Sequence, residues 1–127
     1  MNYKSEPNDM ELFTKAKNLI KYVIDVTEKS PKQYRVAFVN RLQGYALGVL
    51  ENLISANMMQ VKTNLANRKS YQHTAHVQLH LLSNFAYIAM QSGAITPKNF
   101  TEIGKHVNDT TALLTAWGTS DTKRAIA

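Results

Sequence analysis

Residues 95–118, ITPKNFTEIGKHVNDTTALLTAWG, decide the fold class. Thr96 supplies a side-chain oxygen for the first unpaired amides of a helix, and Pro97 sits at the first helical position, where its missing amide costs little. Phe100, Ile103, Val107, Thr110, Leu114 and Trp117 then follow at spacings of 3, 4, 3, 4 and 3. This heptad-like seam is the pattern of a helix packed nearly parallel to its neighbours. Gly118 predicts its end, which leaves 119–127 as a short mobile tail.

Three further helices are predicted upstream. Pro7 breaks the chain, Asn8 or Asp9 suits a helix N-cap, and Leu12, Phe13, Ala16, Leu19, Ile20, Val23 and Ile24 form one apolar stripe. That helix should close near Glu28, because Pro31 disfavours helical geometry at Ser30. A second helix, from Pro31 or Lys32 to Asn57, carries Phe38, Val39, Leu42, Tyr45, Ala46, Val49, Leu50, Leu53 and Ile54. Its Gly44 and Gly48 are spaced to admit a close neighbour. The stretch from Met58 to Asn67 contains neither Pro nor Gly, so helix 2 is able to overrun into it. Asn64 or Asn67 suits the cap of a third helix over 65–92, which turns Ala75, Leu79, Leu82, Phe85, Ala86 and Ala89 inward and stops at Gly93. No alternating strand pattern competes. Four amphipathic helices with short connections predict one all-α domain over 1–127, an antiparallel up-down-up-down four-helix bundle with flexible ends at 1–8 and 119–127.

Composition narrows the function. The chain has 127 residues, 44% hydrophobic and 19% charged, as a globular domain does. The lack of cysteine excludes disulfides, thiolate metal sites and cysteine nucleophiles, and fits a reducing compartment. Residues 1–9 are polar, unlike a secretory signal, and no apolar run nears the ~20 residues that span a bilayer, so a cytoplasmic location is expected.

Catalytic patterns are missing. No Gly-rich phosphate loop, Gly-x-Ser-x-Gly elbow or His-Glu-x-x-His occurs. The acids are scattered, and Asp9, Glu11, Glu28 and Glu102 fall near helix ends, where the helix dipole accounts for them. His73, His76 and His80 share one helical stripe, an arrangement that in principle holds zinc. No carboxylate interleaves with them, so helix packing or solvent contact is the favoured role, and His106 is likewise isolated from acids. The expectation is a protein without catalytic residues, metal or cofactor.

The cations say more. A formal net charge of +6 attracts polyanions. Lys15, Lys17, Lys21, Lys29, Lys32, Arg35 and Arg41 fall within 27 residues against only Asp25 and Glu28, a local net charge of +5. Lys62, Arg68 and Lys69 form a second group near the end of helix 2, and Lys123 and Arg124 lie in the tail. Each phosphate neutralised releases condensed counterions, so such groups give salt-sensitive binding with little sequence preference. Tyr22, Tyr34 and Tyr71 lie beside these charges, where they either stack on unpaired bases or fill the edges of the bundle. The candidate nucleic-acid contacts are thus Lys15, Lys17, Lys21, Lys29, Lys32, Arg35, Arg41, Arg68 and Lys69.

Two stretches carry a family resemblance. One is the junction Lys29-Ser30-Pro31-Lys32, followed by Arg35, Leu42 and Gly48. The other is Ile95-Thr96-Pro97, then Glu102-Ile103-Gly104-Lys105, Leu113-Leu114 and Trp117. On these, and in length, the chain from Leu12 to Trp117 resembles the four-helix bundle family that includes the accessory variability determinant (Avd) proteins of diversity-generating retroelements. The ribosomal intervening-sequence proteins are more distant relatives in that fold. The resemblance implies a non-enzymatic, ring-shaped homopentamer with a basic surface that binds nucleic acid and a cognate reverse transcriptase. Such a protein supports mutagenic complementary-DNA synthesis, and Lys32, Arg35 and Arg41 would contribute to its basic surface. The alternative expectation is an interaction module that oligomerises through Gly44, Gly48 and its aromatic residues, with charges that only solubilise it.

Overall fold

The computed structural model describes residues 7–127; of the flexible end expected at 1–8, residues 1–6 lie outside the described residues, while 7 and 8 already belong to the first helix. Four helices, α1 (Pro7–Thr27), α2 (Asn40–Asn57), α3 (Leu65–Gln91) and α4 (Pro97–Ile126), make the protein all-α, with no strand among the described residues. Each sends apolar side chains spaced three and four apart into one core: Leu12, Leu19 and Val23 from α1, Leu42, Val49 and Leu53 from α2, Leu79 and Leu82 from α3, Ile103, Leu114 and Trp117 from α4. α1 packs on α2 and α4, and α3 packs on the same two helices. No helix among the described residues is long and apolar enough to cross a membrane.

Contacts join the start of one helix to the end of its neighbour. Tyr22 Oη, late in α1, donates to Asn99 Oδ1 early in α4 at 3.4 Å. Phe13, early in α1, meets Trp117 late in α4 edge-to-face, with ring centres 6.1 Å apart. Gln43 Nε2, early in α2, donates to Thr27 Oγ1 at the end of α1, 3.0 Å. Tyr45 and Phe85 relate α2 and α3 in the same way, 5.3 Å between ring centres.

The first connection is not the continuous helix predicted from Pro31 onward. Pro31 is extended, with φ −57° and ψ 145°. The Arg35 amide bonds the Lys32 carbonyl, three residues back, and the Asn40 amide bonds the Arg35 carbonyl, five back. A tight turn and then a wide one therefore precede α2, and the wide turn inserts an extra residue into the helical path. Tyr34 pins this segment to the end of α3, its Oη donating to the Ser92 carbonyl at 2.7 Å. Ser30 Oγ donates to the Ala94 carbonyl at 2.6 Å. Gly93 turns the chain after α3 at φ 88°, a region that L side chains avoid.

The other boundaries show which local signals act. α2 stops at Asn57 and does not overrun. Asn64 precedes α3 as expected, yet its side chain does not cap: Nδ2 donates to Met59 Sδ at 3.1 Å, and Oδ1 accepts from Asn67 Nδ2 at 2.8 Å. Thr96 does cap, accepting from the Asn99 amide at 3.0 Å, with Pro97 next. At Gly48 a Cβ would lie 2.9 Å from the Gln78 side chain, so α3 approaches closely there, whereas Gly44 faces open space and takes no part in that contact.

The end of α4 corrects the sequence reading. The helix passes through Gly118 and continues to Ile126. Four residues beyond Trp117 the seam goes on with Asp121, which is fully buried. Lys69 Nζ donates to the Gly118 carbonyl and to Thr122 Oγ1, the latter at 2.7 Å, and so ties this segment to α3. A glycine inside a helix costs roughly 1 kcal/mol relative to alanine, a penalty that these tertiary contacts exceed. Residues 119–126 are thus part of the bundle rather than a tail.

Candidate nucleic-acid interface

On α1, the core stripe Leu12, Ala16, Leu19 and Val23 leaves Lys17 and Lys21 on the solvent side, with Lys15 half-buried. Lys29 and Lys32 are exposed on the first connection, Arg35 on its wide turn and Arg41 at the start of α2. None of these seven is ion-paired: the pairs among the described residues are Arg68–Asp121, Arg124–Asp121 and Lys105–Glu102. Lys17 and Lys21 border an α1/α2 groove floored by Ile20, Ile24, Leu47 and Leu50, with Asp25 also at its edge. Arg35 borders a polar hollow with Glu28, Ser30 and Asn40. Arg41 leans toward α3, its guanidinium 5.5 Å from the Phe85 ring centre and its Nη1 donating to Tyr45 Oη at 3.3 Å. Lys17 and Lys21 thus share the side of α1 that faces the groove to α2, Lys29, Lys32 and Arg35 are exposed on the turn after it, and Arg41 lies toward α3.

Arg68 does not belong to this surface. It is 3% exposed. Its Nε donates to Asp121 Oδ2 at 2.6 Å and its Nη2 to Oδ1 at 3.1 Å, while Nη1 reaches the Ala56 and Met59 carbonyls. The guanidinium lies 4.6 Å from the Trp117 ring centre. A charge so occupied has nothing to offer a phosphate. Lys69 is half-buried and held by Gly118 and Thr122. Both residues stand at the far end of α2, whose 18 residues separate them from the first connection by about 27 Å. At that end the continued helix gathers Lys123 and Arg124 in its last turn, while Lys62 donates to the Ala127 carbonyl at 2.7 Å.

The tyrosines favour packing over base stacking. Tyr22 lies 5.0 Å from the His106 ring besides its bond to Asn99, and burial, then the nearby Glu102 charge, push its hydroxyl above the usual tyrosine range. Tyr34 is held by Ser92, and Tyr71 is packed against the core. No protein-family model and no curated protein matches this chain. Its chemistry rests on its own side chains: exposed ammonium and guanidinium groups without fixed partners neutralise phosphates irrespective of base sequence.

His73 and His76 line a hollow between α3 and α4, next to Lys69 and Gln72. No three histidine or acidic side chains among the described residues converge as a metal site. Burial, then the His80 and His73 charges, hold His76 below the usual histidine value of 6.5. The folded state thus favours neutral imidazole. The stability this contributes is complete above that usual value and is lost as pH falls toward the lower folded one. The thermal midpoint should drop from about pH 7 to about pH 5, and His76→Gln should lessen the drop. An equal drop in the variant would assign the effect to other groups.

Proposed function

We propose that this chain is a non-enzymatic nucleic-acid-binding accessory protein of a diversity-generating retroelement. It acts as an oligomeric basic scaffold that holds RNA or complementary DNA near a reverse transcriptase. The observation that carries the binding is the run of exposed cations without acidic partners from Lys17 to Arg35, along α1 and the following turn. Helices keep these charges at fixed separations, so they meet a phosphate backbone without ordering a flexible arm first. Repetition of the patch around an oligomer multiplies the binding. The retroelement, the reverse transcriptase and the pentamer rest on the resemblance at Lys29–Lys32 and in the last helix.

The test reverses charge where the first connection is most exposed. Lys32→Glu combined with Arg35→Glu should leave unfolding free energy within about 0.5 kcal/mol of wild type, as surface changes usually do. Binding of single-stranded RNA should weaken. The slope of log K against log salt should fall by about 1.4, because two fewer phosphates are neutralised. Unchanged affinity in a folded variant would remove this surface from the proposal.

A second reading, an interaction module without a nucleic-acid role, is favoured by Leu47 and Ile54, each 45% exposed on α2. Mass in solution measured with and without RNA separates the two: an oligomer indifferent to RNA supports the module.

A further inference from the structure

A cavity of about 530 Å³ opens at the α2–α3 end of the bundle, about 27 Å from the Lys29–Arg35 surface. Its apolar wall is Met58, Met59 and Val61, and its cations are Lys62, Arg68 and Arg124. No acid lines it among the described residues. The carboxylate next to it, Asp121, is already shared: it takes two bonds from Arg68, one from Gln72 Nε2 at 2.6 Å, and a long one from Arg124 Nη1 at 3.4 Å. Among the side chains, three positive charges thus face one negative charge. Arg68 is consumed by its interior partners, which leaves Arg124 and Lys62 as the groups able to meet a ligand. The Lys62 ammonium is steadied beside the cavity by the Ala127 carbonyl.

We propose that this cavity binds a small aliphatic carboxylate, its head between Arg124 and Lys62 and its chain along Met58, Met59 and Val61. A guanidinium fork matches a carboxylate in two parallel hydrogen bonds. A partly enclosed site strengthens that attraction over its value in open water. The volume falls within the roughly 300–1,000 Å³ of small-molecule sites. Methionine thioethers donate no hydrogen bonds and adapt to irregular apolar shapes, so they suit an alkyl chain and give nothing to a bare inorganic anion. The excess positive charge repels a cation. Met58, 77% exposed, stands where an alkyl chain would cover it.

The probe is octanoate, titrated into the full chain carrying ¹³C-methyl methionine and followed by NMR. Saturable shifts should appear at Met58 and Met59, two of the five methionines, and not at Met90. Octanol, with the chain but no charge, and inorganic phosphate, with charge but no chain, should leave both signals in place at the same concentration. Lys62→Gln with Arg124→Gln should weaken octanoate by about tenfold. Should that variant fail to fold, Met58→Gln changes the wall without touching the Arg68–Asp121 pair and should weaken octanoate by about tenfold as well. Absence of shifts, equal response to octanol or phosphate, or undiminished binding in the folded variants would overturn the proposal.

Discussion

Asp121→Ala is expected to cost about 3–5 kcal/mol of unfolding free energy, the penalty of leaving a buried charge without its partner. The Asp121 side chain has no exposed surface and that of Arg68 is 4% exposed, so water cannot take the place of the lost carboxylate. Arg68 would keep two backbone carbonyls, Ala56 and Met59, as its acceptors, and Gln72 Nε2 would lose its bond to Asp121. The damage should also be local: amide exchange over residues 119–126 should quicken, because the pair fastens the last turns of α4 to the start of α3. Removing both charges together, Arg68→Met with Asp121→Leu, should recover most of the loss, since an apolar pair of similar volume has no desolvation penalty. Urea unfolding of the three proteins measures this. An Asp121→Ala variant as stable as wild type would mean that the pair is solvated in solution.

Trp117→Ala should cost about 3–5 kcal/mol, as large-to-small changes in a packed core do. Trp117 is 1% exposed, and its indole touches Phe13 of α1 and lies beneath Arg68 of α3. Deletion therefore opens a void where three helices meet and removes the ring over which the guanidinium sits. Because Trp117 and Arg68 are in contact, combining Trp117→Ala with Asp121→Ala should cost less than the two separate losses together. Additive losses would place the two residues in independent parts of the bundle, against the observed contact.

Much of the fold was legible in residue spacing. The start of α4 and the ends of α1 and α3 match Thr96-Pro97, the Pro31 break and Gly93, each a local signal with a local cause; α3 starts after Asn64 without a side-chain cap, and nothing in the residue types marked the end of α2 at Asn57. Gly118 misleads when one glycine is weighed against the seam. Ile103, Val107, Thr110, Leu114, Trp117 and Asp121 keep spacings of 4, 3, 4, 3 and 4 across it, and all are buried. Arg68, Gln72, Ala75, Leu79, Leu82, Ala86 and Ala89 keep the same rhythm on α3. A charge of each sign on two core seams is the signal that would have found the interior pair and withdrawn Arg68 from the phosphate-binding set. The wide turn at 35–39 had no such signal, because nothing in its residue types demands a five-residue hydrogen bond. The candidate surface was legible only as a count of charges: spacing put Lys17 and Lys21 off the core stripe, but which cations lacked acidic partners depended on packing between helices.

The surface also explains why the two ends of the bundle behave differently. At the first connection the charges are exposed and unpaired, and available to a polyanion. At the other end the Asp121 carboxylate holds the Arg68 guanidinium in the interior and turns charge into structure, while the Arg124 side chain stays 42% exposed. Cations of the same kind thus stand exposed at one end and locked into the core at the other, divided by burial.

The most direct test of the proposed binding surface is retention of a structured RNA on filters over a salt series. Lys17, Lys21, Lys29, Lys32 and Arg35 as phosphate contacts predict tight binding at low salt that weakens steeply and log-linearly as salt rises, by about 0.7–0.9 in slope for each contact. No retention at the lowest salt, or an affinity unmoved by salt, would contradict it.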